Sequence, residues 1–206
     1  MCSCFIGINE LPAVGSSHAF RKTRESMNSI ILKKVEPTEV QTLLDISREM
    51  FFTAFAHLNT ADDMAIYASK AFTIEKLNEE LNNPDSYFYF AWLNNEVAGY
   101  LKLNKNAAQT EFQDPQALEI ERIYVDAKFQ NRQIGQQLLQ FSIDEAIKNN
   151  CQYIWLGVWD ANHNAIRFYE RHGFQVFGSH EFMLGNDRQT DLLLKKLLLT
   201  SPKGEI

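Results

Sequence analysis

Cysteine is scarce in this chain of 206 residues: Cys2, Cys4 and Cys151 make an odd number, two of them crowded at one end. No disulfide framework can be built from that set, and Cys2-Ser3-Cys4 lacks the companions that a zinc site needs. His57, His163, His172 and His180 follow no metal-ligand spacing and His18 lies near the N-terminus, so no metal is expected. Basic charge is also short, with 20 Lys and Arg against 26 Asp and Glu and a formal net charge of −6. A general nucleic-acid binder carries a basic stripe, so no nucleic-acid partner is expected; an acidic surface draws cationic small molecules instead. Long apolar runs are missing too. None approaches the ~20 residues of a membrane span, and no membrane partner is expected. Unpaired thiols fit a cytoplasmic location, with Cys151 a structural or partly exposed thiol.

What is present describes a globular protein: 45% hydrophobic and 22% charged residues, with enough length for one self-sufficient core. Residues 1–26 mix a broken apolar patch with Arg21, Lys22 and Arg24 behind it, the wrong order for a signal peptide. They read as a disordered tail, or as an upstream extension before a start at Met27. Patterning begins just after that methionine, so one domain is expected over residues 27–199, followed by a C-terminal tail at 200–206.

Along that domain, residues 29–35 alternate as a first strand. Thr38 and Gln41 have capping-box spacing, and Val40, Leu43, Leu44, Phe51, Ala54 and Phe55 recur at helical period. Residues 62–71 and 74–81 continue as helix, broken near Phe72-Thr73, and Asn82-Asn83-Pro84-Asp85 ends it. Residues 87–93 and 97–103 flank Asn94-Asn95 as a hairpin. A polar loop leads to a strand at 118–125, a helix at about 134–148, a doubly buried strand at 153–159 and a short helix from Asn162 to His172-Gly173. Strands at 174–177 and 191–199, separated by a loop at 184–187, complete the chain. The order β-α-α-β-β-β-α-β-α-β-β implies an α/β fold, a mixed and mostly antiparallel sheet with helices on both faces.

The stretch from Leu118 to Gly135 carries the most chemistry. A strand, a polar loop (Gln130, Asn131, Arg132, Gln133) and a helix start (Ile134, Gly135, Gln136) follow without interruption. Such a junction leaves backbone N–H groups without intrahelical partners and pointing at one spot, which suits phosphate.

Two later segments join it: Trp155-Leu156-Gly157-Val158-Trp159, and the run from Asn162 through Asn164, Ala165 and Tyr169 to Gly173-Phe174. In that order and spacing the three resemble the GNAT family of acyl-CoA-dependent N-acetyltransferases, over roughly residues 27–199. Within the family Leu118 to Val125, the Trp-Leu-Gly-Val-Trp strand and the late stretch from Gly185 to Gln189-Thr190-Asp191 look most like the PaiA-type enzymes, which acetylate spermidine and spermine.

The resemblance implies a sheet whose central parallel pair splays apart to admit the pantetheine arm of acetyl-CoA. It implies pyrophosphate binding by the backbone of Gln130, Asn131, Arg132, Gln133, Ile134, Gly135 and Gln136, and pairing of pantetheine with Ile123, Tyr124 and Val125 as an added strand. Asn162 would hydrogen-bond the pantetheine amide with help from Asn164, and Tyr169 would protonate the leaving thiolate. A small-molecule amine, polyamine or otherwise, is the implied acceptor. A protein N-terminus, another amine metabolite, or a non-catalytic CoA-binding regulatory role are the alternatives. Family members often pair, which allows a homodimer.

The attacking amine must be neutral, so its proton needs an acceptor. Glu121 and Glu119 lie on one face of their strand, next to the implied thioester, with Glu121 the expected base and Glu119 its helper in holding substrate. Both carboxylates also read as sheet residues paired with Arg122 or other cations. The chain departs from the family at Gln133, where a glycine is usual. A position needing φ > 0 would cost a glutamine about 1 kcal/mol; an ordinary turn conformation, the expectation here, would leave its amide as useful as glycine's.

Overall fold

The protein was analysed as a computed structural model, which describes residues 3–4 and 29–198. Eight strands form one sheet, β1 (Ser3–Cys4), β2 (Ile31–Lys34), β3 (Ser86–Leu93), β4 (Glu96–Asn104), β5 (Ala117–Val125), β6 (Tyr153–Trp159), β7 (Gln175–Leu184) and β8 (Asp187–Leu197). The helices are α1 (Val40–Phe55), α2 (Ala61–Ala71), α3 (Ile74–Asn82), α4 (Ile134–Lys148) and α5 (His163–Arg171). The main path runs β2-β3-β4-β5-β6-β8-β7, antiparallel throughout except for β5 with β6.

Local chemistry explains the boundaries. Thr60 and Thr73 each cap a helix, accepting from the amides of Asp63 and Lys76, so the break expected near Phe72-Thr73 is the start of α3. The capping box expected at Thr38 and Gln41 forms instead two residues earlier, between Glu36 and Glu39, because Pro37 starts a 3-10 turn over Pro37–Glu39 ahead of α1. Asn94 and Asn95, at φ of 51° and 66°, make the β3–β4 turn in the paired left-handed conformation that hairpins favour. Strand β7 is much longer than the sequence indicates, β8 begins four residues earlier than expected, and the two meet in a tight turn at Gly185-Asn186. Much of β7 is exposed or half-exposed, which gives it no buried apolar stripe to read. Gly185 is needed there: it sits at φ +62°, and a Cβ would lie 2.4 Å from the Asp63 backbone.

Each face of the sheet has its own core. Leu118, Ile120, Ile123 and Val125 of β5 pack with α4 and α5, while Tyr124 joins Phe88, Phe90 and Tyr100 beneath α1, α2 and α3. Cys151 is buried.

The feature that positions the site is where β5 and β6 part. They pair only from Ala117–Tyr153 to Ile120–Leu156, yet β5 runs on beside β4 to Val125 and β6 runs on beside β8 to Trp159. The short strand β1 runs parallel to β5 in that opening, opposite Arg122 and Ile123. The remainder of the expected 1–26 tail, and the 200–206 tail, lie outside the described residues.

Candidate active site

On the α4 side, the opening between β5 and β6 leads to an uncapped helix start. The first backbone bond of α4 runs from the Gln137 amide to the Gln133 carbonyl at 3.1 Å, and the side chain of the N-cap residue Gln133 makes no capping hydrogen bond. Helix geometry leaves the N–H groups of Ile134, Gly135 and Gln136 without intrahelical acceptors, at the positive end of a 15-residue dipole. The guanidinium of Arg132 lies 5.5 Å from the Phe129 ring centre and Lys128 lies 5.1 Å from it, so two cations flank the loop. An anionic pyrophosphate fits this setting, and the parted edge of β5, where β1 already pairs at Arg122 and Ile123, is one that takes an added extended strand.

Gln133 corrects the sequence expectation. It sits at φ 61°, ψ 16°, in the left-handed region, and Asn131 beside it at φ 62°. Glutamine therefore bears a conformational cost that glycine would not. Gln133→Gly is expected to raise stability by up to about 1 kcal/mol, a gain of roughly 2–4 °C in thermal midpoint for a domain of this size. A lowered midpoint in a melting curve would contradict it.

The other expected cofactor residues are placed as follows. Asn162 spends its side-chain oxygen capping α5, accepting from the Ala165 amide at 3.1 Å. Asn164 is exposed and accepts from Arg167 at 2.5 Å. Tyr169 is completely buried, its ring 5.3 Å from that of Phe168 and 5.7 Å from that of Phe174. The helix from Asn162 brings these three to the α5 side, near the parted strands.

On the opposite face lies a cavity of about 580 Å³, walled by α2, α3, β4, β5 and the end of the β7–β8 hairpin. At its base is a buried charge cluster. Lys102 of β4 bonds Glu121 at 2.5 Å and Glu80 at 3.1 Å, and Arg122 bonds Glu121 at 3.0 Å and Glu80 at 3.1 Å. Asn104 donates to both Glu121 (2.5 Å) and Glu119 (3.1 Å), while the Thr110 amide and hydroxyl bond Glu119 at 2.9 and 2.5 Å. A bulge in the β4–β5 pairing between Lys102 and Leu103 lets the adjacent Glu121 and Arg122 both line the cavity.

The two carboxylates thus share a face as expected, but in the ion-paired setting. Burial alone would raise the Glu121 carboxyl; Lys102 and Arg122 override it and hold it down at about 2. Passing a proton from an ammonium near ~10.4 to such a group is uphill by roughly 11 kcal/mol, so Glu121 suits a fixed anion better than a base.

Sequence reasoning missed Lys102, Asn104 and Glu80, and also Asp191. Lys102 and Asn104 alternate with Leu101 and Leu103, and a polar residue on the alternate face of a central strand was the available signal. Asp191 lies on β8 opposite Trp159 at the end of β6, completely buried, with neither carboxylate oxygen hydrogen-bonded to any described residue. Burial pushes its carboxyl up to about 7. His180 of β7 lies 3.9 Å from it and 3.4 Å from Glu111, and desolvation lowers the imidazole.

A mixed sheet with one parted parallel pair, an anion-ready helix start on one face and a polar cavity on the other defines an acyl-carrier-dependent transferase. Residues 42–174 match the Acetyltransferase (GNAT) family, and the chain belongs to that family. It is an acetyl-CoA-dependent N-acetyltransferase. It is 43% identical over 173 residues, 84% of this chain and 100% of the relative, to an uncharacterized N-acetyltransferase in the pepI 3′ region of Lactobacillus delbrueckii subsp. lactis. A spermidine N(1)-acetyltransferase of Thermoplasma acidophilum is 23% identical over 152 residues, 72% of this chain and 89% of that protein. The fold also matches the PaiA N-acetyltransferase of Thermoplasma acidophilum, solved in complex with coenzyme A, at a TM-score of 0.66 and 21% identity, covering 82% of this chain and 99% of that one. No described helix is long and apolar enough to cross a membrane, and no metal-binding group of His, Cys, Asp and Glu occurs among the described residues.

Proposed function

We propose that the protein acetylates a primary amine by direct transfer within a ternary complex, as a single domain spanning residues 27–199. The observation that carries this reading is the opening between β5 and β6, with the uncapped start of α4 on one face and the charge-lined cavity on the other. Acetyl-CoA supplies the activated acetyl group from the α4 side. The backbone of residues 130–136 holds its pyrophosphate, and the β5 edge at Ile123, Tyr124 and Val125 holds its extended arm in place of β1, which gives way at Ile123. Asn162 and Asn164 orient the arm from α5, and Tyr169 supplies the proton for the departing sulfur. Glu121, ion-paired with Lys102 and Arg122, and Glu119 behind it are acidic groups on the side from which the ammonium arrives.

Two acceptor classes compete. The spermidine enzyme among the relatives and the net charge of −6 support a polyamine. The cavity wall supports a smaller amine bearing one positive charge, because Lys70, Lys76, Lys102 and Arg122 face only Glu80 and Glu121 there. Incubation with acetyl-CoA and a panel of monoamines, polyamines and peptides with free N-termini, followed by thiol release, tests both. Turnover at least tenfold faster with spermidine than with a monoamine supports the polyamine; the reverse order removes it. Tight coenzyme A binding with no turnover on any amine would sink the enzymatic reading and leave a binding module. A homodimer and a cytoplasmic location belong to the same proposal, on the family's habit of pairing and the cysteine usage.

A further inference from the structure

We propose that Asp191 is the base that takes the proton from the incoming amine and that His180 passes that proton on to solvent, an assignment that rests on the acetyl-transfer reading above. The first observation is an unexplained group. Asp191 is a buried carboxylate whose two oxygens lack hydrogen-bond partners among the described residues, in a structure where Glu119 and Glu121 are both fully engaged. A buried polar group left this way destabilises the fold and calls for a functional explanation.

The second is its position. Beyond Leu156, strand β6 leaves β5 and continues to Trp159, whose partner across the ladder is Asp191. Asp191 shares a strand face with Leu193, which packs with Trp155, the residue in register with Glu119. All therefore point to the cavity side of the sheet, with Asp191 at the open end of the parted strands.

The third is an outlet. His180 Nε2 lies 3.9 Å from Asp191 Oδ2, and its Nδ1 lies 3.4 Å from Glu111, a half-exposed residue that follows the cavity-lining Thr110. The charged and titratable groups acting on Asp191 are the chain's amino terminus, whose positive charge lowers the carboxyl without offsetting burial, then Asp160 from the loop after β6 and Glu111, which raise it, with His180 3.9 Å away. Glu111 and Asp160 are anionic and add to burial in keeping the carboxyl basic, whereas two cations strip Glu121 of basicity.

The step balances as follows. The ammonium loses one proton to Asp191; the neutral nitrogen forms the C–N bond as the thioester C–S bond breaks, its electron pair going to sulfur. The second nitrogen proton reaches the sulfur by way of the Tyr169 hydroxyl, and the Asp191 proton leaves through His180. One proton is released for each acetyl group transferred.

The test compares Asp191→Asn with the unmodified protein. Unmodified kcat/KM should fall about tenfold per pH unit below pH ~7; the variant should lose at least 100-fold in kcat, lose that limb, and keep coenzyme A affinity within twofold by calorimetry. A variant retaining more than a third of the activity, or keeping the limb, overturns the assignment. Should the variant not fold, His180→Gln decides in the same assay: a limb displaced by half a pH unit or more supports the relay, and an unmoved limb overturns it. Carboxyl carbon NMR of the free protein reads Asp191 without turnover. A titration near the ordinary ~4 overturns the proposal even if acetyl transfer is established. A midpoint near 7 supports the basic carboxyl whichever amine the panel selects, whereas a panel with no turnover overturns the acetyl-transfer reading itself.

Discussion

Lys102→Met is expected to lower folding stability by about 3 to 5 kcal/mol, because it leaves a buried carboxylate without its nearest cation. Lys102 contacts Glu121 at 2.5 Å and Glu80 at 3.1 Å, in a cluster where all the charged side chains are nearly buried. For a domain of this size that amounts to a fall of roughly 10 °C in thermal midpoint. Methionine keeps the length and apolar stem, so lost packing contributes little. A second change, Glu121→Leu in the same background, should restore more than half of the loss, since the cost lies in the unpaired charge and not in the missing bond. The pH dependence has a definite sign. The folded Glu121 carboxyl is depressed from 4.5 to about 2, so its contribution is present above pH ~4.5 and is lost as pH falls through about 2. In Lys102→Met this acid dependence should shrink. A single variant melting within 3 °C of the parent at pH 7 would show that Arg122 and Asn104 alone neutralise the site.

Tyr169→Phe is expected to lower kcat by about 10²-fold or more, the usual weight of a general acid, with coenzyme A affinity changed by no more than a few fold. The substitution deletes one oxygen and keeps the ring that packs on Phe168 and Phe174, so the α5 contact with the sheet persists. Stability should move by no more than about 1 kcal/mol. Stopped-flow acetyl transfer with saturating amine separates the two roles that Tyr169 can have. Unchanged turnover would mark it as a packing residue, and a large fall in melting temperature with modest loss of rate would say the same.

Asp191 adds the opposite pH signature. Its folded carboxyl is raised from 3.8 to about 7, so the folded protein binds the extra proton between those values and its stability declines as pH rises through that window, by about 1.4 kcal/mol per pH unit at most. Glu121 and Asp191 are thus two acids on one face of the sheet driven apart by their surroundings, one by two cations and the other by burial and neighbouring anions.

Much of the scaffold was legible in the order of residues. Helix α4 begins and ends where its apolar period does, at Ile134 and Lys148, and β6 covers the same seven residues as its apolar run. These are elements whose burial is one-sided or complete, so their pattern is local. The β7–β8 hairpin was underestimated because Ser179, Glu181 and Gln175 face solvent and leave no stripe. The capping box was misplaced by two residues because Glu36/Glu39 and Thr38/Gln41 both have its spacing and Pro37 selects the first, at the 3-10 turn that precedes α1.

By itself, then, the sequence determined the strand-loop-helix, the apolar strand that follows it and the asparagine-to-tyrosine helix, since each depends on short-range periodicity and on backbone groups that any side chain would present; the parallel pairing of the two strands came only through the family resemblance. The sequence also placed Glu119 and Glu121 on one face of β5. Only the tertiary structure decided what those carboxylates are. The charge state of Glu121 is set by Lys102, Arg122 and Asn104, two of them from another strand, and electrostatic energy depends on distance in space. Likewise, the left-handed twist at Gln133 and the unsatisfied Asp191 come from register and burial, which adjacent residues do not encode.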